Sequence, residues 1–93
     1  MRERSIELTL IKAVKGMGGI CAKWVSPGID GVPDRIVILP GGRIGFVELK
    51  APGQKMRPLQ KKRKRQLEEL GVLVFCVDDI EQIEEVLDAI QST

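Results

Sequence analysis

Asp34, Glu48 and Lys50 are the residues of this 93-residue chain whose types and spacing best suit hydrolytic chemistry. Asp34 follows Pro33 at the end of a glycine-bearing loop, and Glu48-Leu49-Lys50 comes fourteen residues later. The side-chain period of a strand is two, so Glu48 and Lys50 share a face that Leu49 does not. Residues 34–39 (DRIVIL) and 43–50 (RIGFVELK) read as strands, joined by Pro40-Gly41-Gly42 as a hairpin. A turn centred near residue 41 makes Asp34 and Glu48 near cross-strand partners. Two carboxylates about 4 Å apart repel by roughly 4 kcal/mol at an effective dielectric of 20. A divalent cation offsets that repulsion, and all-oxygen ligation without His or Cys favours Mg²⁺ or Mn²⁺ over Zn²⁺. Lys50 beside such an ion can orient or deprotonate a water, or steady negative charge developing on phosphorus. E-x-K alone is a common tripeptide. Preceded at hairpin distance by P-D, it becomes a more specific signal.

The elements that must hold these residues follow from periodicity. Ile6, Leu10, Ile11, Ala13, Val14 and Met17 form one apolar arc, predicting an amphipathic helix over roughly 3–17 that stops at the Gly18-Gly19 pair. Glu7 falls inside that arc, so it is either a boundary residue reaching water or a charge seeking a partner such as a metal site. Residues 20–25 (ICAKWV) form a short strand, and 26–33 a turn-rich loop. A basic helix over about 57–70 carries Pro58 in its first turn, Gln60 beside it and Gly71 as its stop. Residues 72–77 (VLVFCV) are uniformly apolar, as in an interior strand covered on both faces. The last helix opens on a capping-box-like Asp78-x-x-Glu81 and buries Ile80, Ile83, Leu87 and Ile90. The order is αβββαβα in one domain spanning 1–93. A hairpin followed by a helical crossover implies a mixed four-stranded sheet flanked by helices.

Composition narrows the chemistry. The chain has no His and no Tyr, which removes Ser-His-Asp and Cys-His catalysis and His-ligated zinc. Cys21 and Cys76 both lie in apolar runs and read as buried thiols of a reducing compartment. No apolar stretch approaches a membrane span and no signal-peptide core follows the first residue, so a cytoplasmic location is expected. One Trp and two Phe are too few for the stacking platforms of single-strand binders. The net charge of +2 conceals an asymmetry. Residues 1–65 hold all 15 Lys and Arg against five acids, net +10, whereas 66–93 hold eight acids and no base. Such a split points to a polyanionic partner.

These features together resemble the PD-(D/E)xK nuclease fold, and more narrowly the small stand-alone virus-type replication-repair nuclease (VRR-NUC) domain of phages and bacteria. The matching pieces are Glu7, Gly31-Val32-Pro33-Asp34, Glu48-Leu49-Lys50 and Gln60, spread over about residues 3–90. The resemblance implies a restriction-endonuclease-like α/β fold. It further implies that Asp34, Glu48 and the Leu49 carbonyl bind the metal, with Glu7 joining directly or through water. Lys50 and Gln60 would act around the attacking water. Stand-alone members of this kind are homodimers acting on four-way junctions, and a phage-encoded one would work in the host cytoplasm.

Residues 50–65 contain eight Lys and Arg and no acid, five of them consecutive, so they surround the basic helix. Such a run can be a solubilising or localisation patch. Directly after Lys50 it reads better as a phosphate clamp built from Lys55, Arg57, Lys61, Lys62, Lys64 and Arg65, with Arg35 and loop 26–32 as further DNA contacts. No set of base-reading side chains stands out, so recognition by shape and backbone is expected. Paired cuts in a two-fold symmetric DNA need a symmetric dimer, because one domain carries one site. The acidic 66–93 segment could join that interface or keep DNA off the back of the molecule. Two other readings compete: a nuclease-like DNA-binding or recombination accessory module that does not cut, and a small toxin-like nuclease directed at RNA.

Overall fold

Helix α1 (Glu3–Gly16) turns Ile6, Leu10 and Val14 into a fully buried stripe, the arc expected from their spacing. The chain reverses after Gly16, where the Met17, Gly18 and Gly19 amides cap the last carbonyls of α1. Strands β1 (Ile20–Lys23), β2 (Arg35–Leu39) and β3 (Arg43–Leu49) follow as an antiparallel meander. Helix α2 (Pro58–Glu69) then crosses over to β4 (Leu73–Val77), which runs parallel to β3, and α3 (Gln82–Gln91) closes the order. This computed structural model describes residues 2–93.

The sheet order is β1-β2-β3-β4, so β4 is an edge strand and not the interior strand that its apolar run suggests. The run has another cause. One face of β4 meets α3 and the other meets α2, which demands apolar side chains on both sides. Val37, Leu39, Val47, Leu49 and Val77 join α1 and α3 in a single core. Gly45 makes room there: a Cβ at this position would sit 2.5 Å from the end of the buried Ile90 side chain of α3, which would have to shift. The bare backbone lets that side chain lie directly on the sheet.

The opposite face is less covered. Across β1, β2 and β3 the pairs Ile20↔Ile38 and Ile38↔Ile44 form an isoleucine ladder that is 63%, 38% and 46% exposed. Further along that face Trp24 and Phe46 pack with ring centroids 5.0 Å apart. Helix α2 has no fully buried residue and rests mainly against β4.

Two local expectations shift. Helix α3 starts at Gln82 and not within a box closed by Glu81. Asp78 instead exchanges bonds with Gln82: its amide donates to Gln82 Oε1, and Gln82 Nε2 donates to Asp78 Oδ1, both at 2.9 Å. Both cysteines are thiols, half-buried, with burial pushing each thiol pKa up.

Candidate active site

The β2–β3 ladder pairs Arg35 with Val47, so the next step outward sets Asp34 beside Glu48. Asp34 is pinned twice. Its carbonyl accepts the Trp24 amide at 3.0 Å, and its Oδ2 accepts the Leu49 amide at 2.8 Å. The second bond aims the carboxylate across the hairpin toward the end of β3. Lys50 is fixed by its own amide, which donates to the Val77 carbonyl at 2.9 Å, and its Nζ stands 3.8 Å from Glu48 Oε2.

Glu48 is the anomaly of the molecule. Its side chain is 1% exposed, and neither carboxylate oxygen receives a hydrogen bond. Buried acids without donors are rare because ionisation there forfeits hydration with nothing in return. Burial first, then the adjoining Asp34 carboxylate, pushes the Glu48 pKa up to about 8, while Lys50 pulls the other way. Near neutrality the metal-free protein therefore favours the protonated form of Glu48. Two adjacent carboxylates, one orphaned and buried, with an ammonium alongside, fit a hard divalent cation such as Mg²⁺ or Mn²⁺. The two carboxylates supply oxygen donors only, the ligand type hard cations prefer.

Glu7 stands apart from this pair. Arg35 donates to Glu7 Oε2 from Nε at 3.2 Å and from Nη2 at 3.0 Å, and Arg4 approaches Glu7 Oε1 at 3.4 Å. Among the described residues no three Asp, Glu, Cys or His side chains converge as one metal-binding group. The acid of α1 is already partnered by Arg35 and Arg4, which sets it apart from the Asp34–Glu48 pair. Glu7 does share a cleft of about 280 Å³ with Asp34, Pro33, Lys23 and Trp24, which leaves room for water between them.

The same contacts show where the structure places Arg35, expected above as a DNA contact. It is 8% exposed, and its third donor, Nη1, goes to the Cys21 carbonyl at 3.1 Å. Three of its five N–H donors are engaged within the protein, so the guanidinium is turned inward rather than toward a DNA backbone. Its position in β2, on the face shared with Val37 and Leu39, was the available sign that it faces the core.

The basic run divides by environment. Lys55, Arg57, Lys61, Lys62 and Arg65 are exposed. Lys64 is half-buried and pairs with Glu68 at 2.9 Å. Arg63 donates from Nε to the Asp30 carbonyl at 2.9 Å and bonds Gln66 through Nη1. Gln60 caps α2: its Oε1 accepts the Arg57 amide at 2.8 Å, leaving only its NH₂ to meet a substrate. It lines a pocket of about 450 Å³ with Arg57, Leu59 and the Ser26 and Ile29–Val32 loop residues. Val32 also belongs to the wall of the Glu7–Asp34 cleft, so the two recesses adjoin. Lys23 and Trp24 were not singled out by sequence; only their place at the end of β1, opposite Arg35 in the register, brings them there.

A mixed four-stranded sheet, helices on both faces and a carboxylate pair at one hairpin's open end define an α/β domain of the restriction-endonuclease-like class. No family model matches the chain. A solved structure named "VRR_NUC domain" superposes with a TM-score of 0.85 at 30% identity, covering 92% of this chain and 94% of that one. The chain is also 51% identical over 78 residues to the protein named "Putative nuclease p44" of Acyrthosiphon pisum secondary endosymbiont phage 1, 84% of each. The chain belongs to the VRR-NUC family.

Proposed function

We propose that the protein is a Mg²⁺- or Mn²⁺-dependent endonuclease that hydrolyses phosphodiester bonds in four-way or otherwise branched DNA, working as a homodimer in the bacterial or host cytoplasm. The observation that carries this reading is the buried, donor-less Glu48 carboxylate between Asp34 and Lys50. Asp34, Glu48 and the Leu49 carbonyl would hold the ion, with Glu7 joining directly or through water. When bound, the ion supplies Lewis-acid polarisation of the phosphodiester and lowers the pKa of the attacking water. Lys50 orients that water and stabilises the charge gathering on the phosphate oxygens. The Gln60 NH₂ group, its carbonyl oxygen already used by α2, contributes as a donor only. Lys55, Arg57, Lys61, Lys62 and Arg65 grip the DNA backbone, with weak demand on sequence.

The nuclease name of the phage relative and the 30% identity to a solved VRR_NUC domain support the reaction class. The exposed Ile20–Ile38–Ile44 ladder supports self-association, since such a stripe is costly to leave in water. No helix among the described residues is long and apolar enough to cross a membrane.

The test is direct. Labelled four-way junction, flap, duplex and single-strand DNA are incubated with the protein in Mg²⁺, Mn²⁺ or EDTA. Symmetric nicks in the junction, absent in EDTA and in Asp34→Ala and Glu48→Ala variants that still bind, are expected. Metal-dependent cutting retained by either variant removes the mechanism. Binding without turnover in every metal makes the protein an accessory module instead.

A further inference from the structure

The basic helix and the metal-binding carboxylates belong to different elements, and one side chain joins them. Among the described residues, Arg63 makes the hydrogen bond from an α2 side chain to a residue outside that helix, donating to the Asp30 carbonyl at 2.9 Å. Gly31, the next residue, sits at φ +78° against Leu59 of α2, where a Cβ would meet the Leu59 carbonyl oxygen at 3.0 Å. Val32 and Pro33 then lead straight into Asp34, whose Oδ2 holds the Leu49 amide. The loop carrying the carboxylate is therefore seated on α2 through a guanidinium bond and one close backbone contact. Helix α2 has no fully buried residue, so the core does little to fix its position. Its placement relative to the sheet rests on its packing against β4 and on these links.

Resting on the nuclease reading above, we propose that Arg63 is a positioning residue, coupling phosphate capture on α2 to the placement of Asp34. Of the cations in 50–65 it is the one whose Nε and Nη1 are spent on the protein itself, and it is half-buried. A DNA backbone drawn onto Lys61, Lys62 and Arg65 presses α2 toward the sheet. Arg63 passes that displacement to Asp30 and along the loop to Asp34. Substrate binding thus steadies the loop that holds Asp34 beside Glu48.

Three measurements decide it, two of them independent of turnover. In EDTA, hydrogen exchange at the 30–34 loop and at the Leu49 amide is followed with and without duplex or junction DNA. DNA should slow exchange at these amides in the wild type and in Lys62→Ala, and fail to do so in Arg63→Ala and Arg63→Lys. The salt slope of DNA binding should fall by about one in Lys62→Ala and stay unchanged in Arg63→Lys, since each phosphate contact contributes about −0.9. In Mg²⁺ the Arg63 variants should lose roughly 10- to 100-fold in kcat with KM little changed, the size of effect a misplaced catalytic group produces. Arg63→Lys keeps the charge, so a wild-type kcat and wild-type protection in that variant overturn the proposal. The same applies if Arg63→Ala loses one unit of salt slope at unchanged kcat, which would make Arg63 an ordinary phosphate contact. Absence of cleavage by the wild type in every metal counts against the nuclease reading alone, because the exchange experiment still reports the coupling.

Discussion

Arg35 and Glu7 are 28 positions apart, yet two nitrogens of the Arg35 guanidinium converge on one oxygen of the Glu7 carboxylate, at 3.2 and 3.0 Å. The pair ties α1 to β2 one residue from Asp34 and is largely withdrawn from water, with side chains 10% and 18% exposed. Removing one partner of such a pair strands the other. Arg35→Leu should lower stability by about 2–3 kcal/mol, somewhat under the usual cost for fully buried pairs because Glu7 keeps some hydration. Urea unfolding measures this. The double variant Glu7→Gln/Arg35→Leu should regain part of the loss. DNA affinity at fixed salt should change little in the folded variants, since the Arg35 guanidinium is buried against Glu7 and the Cys21 carbonyl.

The raised Glu48 pKa has a definite pH signature in metal-free protein. An ordinary carboxyl near 4.5 becomes one near 8 on folding, so the native state binds the extra proton between those values. Stability is then greatest below about pH 4.5 as far as this group is concerned, and falls as pH rises toward 8, by up to a few kcal/mol. Thermal melts in EDTA from pH 5 to 8.5 should show the decline, and Glu48→Gln should flatten it. Mn²⁺ should raise the melting temperature of the wild type more at pH 8 than at pH 6, with no such difference in Glu48→Gln.

Lys50 is expected to matter for turnover more than for binding. Lys50→Met should reduce kcat by about 10²–10³, the usual cost of losing a group aimed at transition-state charge. Binding to junction DNA in Ca²⁺ or EDTA should change by less than about threefold, because Lys50 is 13% exposed and is one cation among many. An equal loss in kcat and affinity would instead make it a phosphate anchor.

The exposed cations of α2 should behave as a set of separable contacts. Lys61→Ala, Lys62→Ala and Arg65→Ala are each expected to weaken DNA binding and reduce the magnitude of the salt slope by about one. Lys64→Ala should do less, since its ammonium is already matched by Glu68 at 2.9 Å. Titrations from 50 to 200 mM salt give all four slopes.

The hairpin was the most legible part of the sequence. A strand period of two and a turn at Pro40-Gly41-Gly42 are enough to align Asp34 with Glu48, and the observed register agrees. Helix α1 was legible for the same reason, its arc being long and regular. What stayed hidden depends on position in three dimensions. The apolar string of β4 reports two covered faces but not whether a further strand lies beside it, so an edge strand reads as an interior one. Glu7 and Arg35 each look like surface charges or site residues when read singly, and only the packing of α1 against the sheet makes them partners. Within the run 61–65 a one-dimensional reading assigns every cation the same task, whereas helix rotation turns Arg63 inward to Asp30 and leaves Lys62 outside. Gln60 was legible as a marked residue of the first turn, but its capping of Arg57 was not, because Gln is a common helix filler.

Asp34 and Glu48 lie on a single hairpin, and that has a consequence for the order in which the chain folds. Hairpins close in about 1–10 μs, and short loops carry the least closure entropy. The parallel pairing of β3 with β4 has to wait for the chain to travel through α2, from Leu49 to Leu73. On that order the two carboxylates meet while still wet, and Glu48 is dehydrated afterwards as β4 pairs with β3. The electrostatic penalty is then expected late, on the native side of the folding barrier. Relieving it with Glu48→Gln should slow unfolding and leave the folding rate nearly untouched.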